Sequence, residues 1–142
     1  MTPRSKRIQP VSKIADRAEK KAAREFSRTR RQLKELQDKL TIMKSYRQEY
    51  HNKRDKTGSR ITVTDLQQQQ VFLGQLDDAI ALLEKQVNTQ ETLTRQEQQK
   101  WIATWKRVNS LNRAIDNLQS QEKLEKERRD QARLDEHALK TG

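Results

Sequence analysis

From Leu66 to Leu118 the chain alternates steps of three and four residues without a break: Leu66, Gln69, Leu73, Leu76, Ile80, Leu83, Val87, Gln90, Thr94, Glu97, Trp101, Thr104, Val108, Leu111, Ile115 and Leu118. A 3.5-residue repeat keeps one narrow seam facing a partner helix, whereas the 3.6-residue period of a globular helix drifts off that line. An earlier segment carries a second seam: Val11, Ala15, Ala18, Ala22, Phe26, Thr29, Leu33, Leu36, Leu40, Met43, Arg47 and Tyr50. One extra four-residue step at Ala18–Ala22–Phe26 predicts a stutter, which locally unwinds a left-handed supercoil. Between the seams, Asp55-Lys56-Thr57-Gly58-Ser59-Arg60 combines Gly and Ser with lost periodicity and reads as a turn.

The expected architecture is all-α: two long helices forming an antiparallel coiled-coil hairpin, because arms joined by few residues must fold back on each other. The predicted boundaries are a flexible basic tail over 1–9, a first helix over 10–54, a turn over 55–61, a second helix over 62–137 and a flexible end over 138–142. Pro10 suits a first helical turn, and Thr62 with Asp65, or Thr64 with Gln67, has capping-box spacing. At 1.5 Å per residue the arms would span roughly 68 and 110 Å. A turn near Gly58 puts residue 11 opposite about residue 105, which leaves a polar C-terminal helical overhang of roughly 30 residues. The expected core is Leu33, Leu36, Leu40 and Met43 against Leu73, Leu76, Ile80, Leu83, Val87, Trp101 and Val108. With each arm finding its mate in the same chain, the free protein is expected to be a monomer.

Composition supports rods over a globule: 31% of residues are apolar and 36% charged, too few apolar groups for a compact core. The absence of cysteine removes disulfides and thiolate metal sites from consideration. No apolar run approaches the roughly 18 residues needed to span a bilayer, and the N-terminus lacks the apolar core of a signal peptide, so a cytosolic protein is expected.

The net charge of +11 is placed unevenly. Residues 1–60 hold 19 Lys/Arg against 7 Asp/Glu, while residues 61–142 hold 12 against 13. The cations crowd the N-terminal half of the first arm, where the helix macrodipole disfavours them. An acidic partner, a nucleic acid or an anionic membrane face would justify that arrangement, and a merely solvated face is the plain alternative.

Nothing in the sequence reads as catalytic. His51 and His137 are far apart and lack the partners of a metal shell, and the isolated Gly58, Gly74 and Gly142 make no phosphate loop, so neither metal nor cofactor is expected. A basic-region leucine zipper is out of phase, since Ala22-Ala23 lacks a preceding Asn and the Ser27-Arg28 pair falls too late. Trp101 and Trp105 suit packing against the small alanines of the first arm. Val71, Phe72 and Ala79 put apolar surface off the seam, and Gly74 removes a side chain beside them; this reads as a docking patch, unless Phe72 folds over the seam.

Several motifs together resemble the FliJ flagellar export proteins of the bacterial type III secretion apparatus. They are Tyr46-x-x-Glu49-Tyr50, Phe72-x-x-x-Leu76-x-x-Ala79-Ile80, Trp105, Asp130-Gln131 and Leu134-Asp135-Glu136-x-Ala138. The resemblance implies a non-enzymatic central stalk that enters and stimulates the hexameric flagellar export ATPase. It also implies contact with the large export-gate membrane subunit, escort of export substrate chaperones, and a place at the cytoplasmic face of the inner membrane at the flagellar base. The gate contact carries over onto Phe72, Leu76 and Ala79, beside Val71. The basic arm, with Arg17, Lys20, Lys21, Arg24 and Arg28, is the expected contact to the ATPase ring, although it is more basic than the resemblance requires. Nucleic acid is not the expected partner; a basic arm binding structured RNA, or a homodimeric scaffold, are the alternatives.

Overall fold

The structure, a computed structural model, describes residues 2–57 and 62–141. It holds two helices, α1 (Arg4–Thr57) and α2 (Val63–Thr141), and no strand among the described residues. Ala, Leu, Glu, Gln, Lys and Arg, all strong helix formers, fill most positions, and the two helices pack against each other as the all-α antiparallel coil expected. The chain divides into two compact units, Met1–Ala23 with Lys100–Gly142, and Arg24–Gln99.

In the unit Arg24–Gln99 the seam is mostly apolar. Leu76, Ile80 and Val87 are buried, and Leu33, Leu36, Leu40, Met43, Leu73 and Leu83 are half-buried. A two-helix coil has a single interface, so most seam residues keep one edge in water even when well packed. Several polar seam residues are satisfied rather than excluded, although among the described residues Gln69 Oε1 and Arg47 Nε are buried without a hydrogen bond, the latter in an ion pair with Asp77. The Gln90 amide donates to the Thr29 carbonyl (3.1 Å) and to Gln32 Oε1 (3.3 Å), and the buried Thr94 hydroxyl donates to the Gln90 carbonyl (2.8 Å). Lys44–Glu84 (3.4 Å) and Arg47–Asp77 bridge the helices along the flanks, but at such exposure each adds at most about 1 kcal/mol.

In the other unit Ala15 and Ile115 are buried, and three polar contacts set the register. The Ser12 hydroxyl donates to Asn112 Oδ1 (3.2 Å), Trp101 Nε1 donates to Glu19 Oε1 (2.9 Å), and Ser5 is held by Glu122. Ser12 therefore lies opposite Asn112, and residue 11 does not face residue 105 as expected. Pairing reaches Glu122, which leaves residues 123–141 as the exposed overhang.

The first seam is also corrected. Val11 is 41% exposed and Ala18 is exposed, while Ser12 is buried and Glu19 half-buried. The true line runs Ser5, Ile8, Ser12, Ala15, Glu19, Ala22, Phe26, Thr29 and onward in unbroken steps of three and four, so the stutter is absent. Apolar side chains alone pointed one residue off, because Ser12 and Glu19 enter the seam with hydrogen-bond partners on α2.

The expected tail over 1–9 is helical from Arg4, the turn expected from residue 55 begins no earlier than the end of α1 at Thr57, and the end expected to be flexible is helical to Thr141. Residues 58–61 of the expected turn lie outside the described residues. Thr62 caps α2: its hydroxyl accepts from the Asp65 N–H (3.1 Å) and its carbonyl from the Leu66 N–H (3.0 Å). Pro10 sits inside α1, not in its first turn. It withholds an N–H from the Lys6 carbonyl and costs about 3 kcal/mol in a helix interior. The turns before it hold no acid to offset the macrodipole. Glu122 supplies what they lack: Oε2 accepts from the Ser5 hydroxyl (2.7 Å) and Oε1 from the Ser5 N–H (3.0 Å).

Ile80→Ala is expected to destabilise the protein by about 2–4 kcal/mol in urea unfolding, whereas Val11→Ser, off the seam, should change stability by less than about 0.5 kcal/mol. The Ser5 hydroxyl, then its N–H, holds the Glu122 carboxyl below its ordinary 4.5. A depressed carboxylate stabilises the fold above the unfolded value and loses that contribution as pH falls through the folded one. Acidification through that window should lower the amide protection factors at Ser5 to Gln9, measured against the intrinsic exchange rate at each pH, and Glu122→Gln should remove this pH dependence.

Candidate functional site

Two surfaces hold side chains that the coil does not use. On α1, with Ser5, Ser12, Glu19 and Phe26 at position a, the outward positions b, c and f collect cations. Arg17, Lys20 and Lys21 lie there in the first unit, and Arg24 and Arg28 in the second; all five are exposed. Arg28 pairs with Glu25 one turn earlier (3.0 Å), at an exposure that leaves the guanidinium available. Among the described residues the other four make no ion pair. The acids of the same stretch, Asp16, Glu19 and Glu25, fall at e, a and g, so the outward face is uniformly positive.

The second surface surrounds Phe72 and lies wholly in the unit Arg24–Gln99. Phe72 is 37% exposed, and its ring meets Tyr50 at 5.1 Å and Tyr46 edge-on at 6.4 Å. It folds over the seam edge and still shows a face to solvent. Val71 is 61% exposed beside it, and an open groove of about 300 Å³ runs past both, lined also by Thr64, Gln67, Gln68 and Gln75. Leu76, expected both in the core and in the patch, is buried and serves the seam; Ala79 is half-buried. A Cβ added at Gly74 would meet nothing within 4 Å, so none of the described residues uses the room that glycine leaves. The tyrosine clamp was missed in sequence, although a signal was present: Tyr46 and Tyr50, one helical turn apart, stand near the end of the first arm and Phe72 near the start of the second.

The remaining expected residues are structural. Trp101 is half-buried with its indole bound to Glu19 rather than set only against alanines, Trp105 is 49% exposed, and Val108 is half-buried. His51 is half-buried and His137 exposed. Among the described residues no group of three His, Cys, Asp or Glu side chains could hold a metal ion, and no helix is long and apolar enough to cross a membrane.

Two long helices packed against each other, with exposed cations on α1 and an aromatic edge in the unit Arg24–Gln99, define an all-α coiled-coil protein. The chain matches the family described as Flagellar FliJ protein over residues 5–141, nearly its whole length, and it belongs to that family. Neither a curated protein nor a solved structure matches it significantly. The family is a non-catalytic component of the flagellar export machinery, and the chain thus takes part in flagellum biogenesis and protein export.

Because Phe72 packs on two tyrosines, Phe72→Ala should cost about 1 kcal/mol of stability, within the range for aromatic pairs, and Val71→Ser close to nothing. Thermal melts of the two variants check this.

Proposed function

We propose that this chain acts as the central stalk of the export apparatus, stimulating the hexameric export ATPase and linking it to the large export-gate membrane subunit. Escort of substrate chaperones belongs to the same reading. The observation that carries it is the presence of two separate sets of unused side chains on a narrow coil: the α1 cations, and the Val71–Phe72 edge with its groove. A two-helix coil placed in a six-fold ring touches its subunits unequally, so it can bias them into different states. Cations at Arg17, Lys20, Lys21, Arg24 and Arg28 suit acidic groups lining such a ring, because opposite fields steer docking and fix orientation. Phe72, partly exposed and packed on Tyr46 and Tyr50, suits an anchor for the gate, with Val71 and Ala79 beside it. Membrane proximity follows from the gate contact, and the chain itself needs no spanning segment for it.

Mixing the protein with the export ATPase of the same cell should raise ATP hydrolysis. Replacing Arg17, Lys20, Lys21, Arg24 and Arg28 by Glu should abolish the increase while the circular dichroism of the helices stays unchanged. Phe72→Ala should retain stimulation and weaken gate binding by about 1–3 kcal/mol in calorimetry, the range for an aromatic anchor. Unaltered stimulation by the charge-reversed protein would place the ring contact elsewhere, and capture of structured RNA with a steep salt dependence would favour a nucleic-acid role.

A further inference from the structure

Between Lys6 and Lys21 the outward b, c and f positions of α1 hold Lys6, Arg7, Pro10, Lys13, Ile14, Arg17, Lys20 and Lys21. Six are cations, none is an acid, and all are exposed. No cation among them makes an ion pair among the described residues, although Lys6 lies near the Glu122 carboxylate and Arg7 lines an open cavity together with Glu122 and Glu125. The fold gives no reason for this face, since the macrodipole at this end of α1 opposes it and the seam lies on the other side. We infer that this face, with the exposed Ile14 at its middle, docks on an anionic membrane surface.

Three features select a lipid surface over other anions. Ile14 is 65% exposed within the ring of cations, and Val11, at its edge, is 41% exposed. A carboxylate or phosphate partner gains nothing from a branched apolar side chain there. A bilayer interface takes cations at the headgroups and the apolar group at the acyl boundary. Residues 1–23 contain no aromatic residue, so no platform exists on which bases could stack. Four of the six cations are lysines, point charges suited to a diffuse negative field rather than to bidentate recognition. A cluster of six falls within the range that reads as binding to acidic lipid, and it lies along about 22 Å of one helix face.

Arg17, Lys20 and Lys21 are shared with the proposed ring contact, so α1 engages the ring and the membrane in turn; Lys6, Arg7, Lys13 and Ile14 belong to the membrane face alone, and variants there test it without touching the ring contact. The test is co-sedimentation of the full-length protein with phosphatidylcholine vesicles and with mixed phosphatidylcholine–phosphatidylglycerol vesicles. Binding is expected only to the mixed vesicles and should fall at high salt. Lys6→Glu, Arg7→Glu and Lys13→Glu together should weaken it at least about tenfold. Ile14→Ser, which alters no seam residue, should weaken vesicle binding several-fold and leave retention on heparin unchanged. Circular dichroism of each variant confirms that the helices persist. Equal binding to neutral vesicles, unchanged binding by the triple variant, or an Ile14→Ser effect equal on vesicles and heparin would overturn the inference. So would capture of RNA without binding to either vesicle.

Discussion

The 3.5-residue seam is the constraint on which everything else in this protein depends. With so few apolar residues, no arrangement other than a narrow interface between two helices removes enough of them from water. That interface leaves to solvent the b, c and f positions of both helices and the outer edges of flanking residues such as Phe72, and function can be written only there. Core and surface are thus divided by heptad position rather than by depth, which is why Leu76 and Val71, five residues apart, can differ so widely in exposure (6% against 61%).

Polar residues in the seam matter as much as apolar ones. Ser12, Glu19, Thr29, Gln90 and Thr94 hold seam positions and find hydrogen-bond partners within their own units. An apolar seam tolerates sliding by a heptad, because one leucine layer resembles the next, whereas a glutamate bound to one indole and a serine bound to one asparagine do not. Specificity of register is therefore concentrated in directional contacts, and the carboxylate of Glu122 fixes the last of them against the start of α1. It does so where the local sequence is least favourable, ahead of Pro10 and among cations.

The outward faces carry the consequences for the export machinery. The cations of α1 stand where the family's ring contact is proposed, and Tyr46 and Tyr50 brace the Phe72 ring where the gate contact is proposed. A side chain that is both braced and half-exposed loses little freedom on docking, which favours affinity more than area alone does.

The fold class was legible from periodicity, as was the seam of α2 from Gln69 to Leu118, because a heptad repeat is a local property that needs no knowledge of the partner. The family resemblance was legible too, carried by spaced motifs along the whole chain. The line of the first seam was not, since Val11 and Ala18 look like better core residues than Ser12 and Glu19 until their partners on α2 are seen. Nor was the pairing of Ser5 with Glu122, which joins positions 117 residues apart and turns a proline-bearing, all-basic segment into helix. The sequence by itself determined which faces are apolar and where charge accumulates. Only the tertiary structure decided which polar groups enter the seam, because burial of a polar side chain depends on a hydrogen-bond partner that local sequence does not contain.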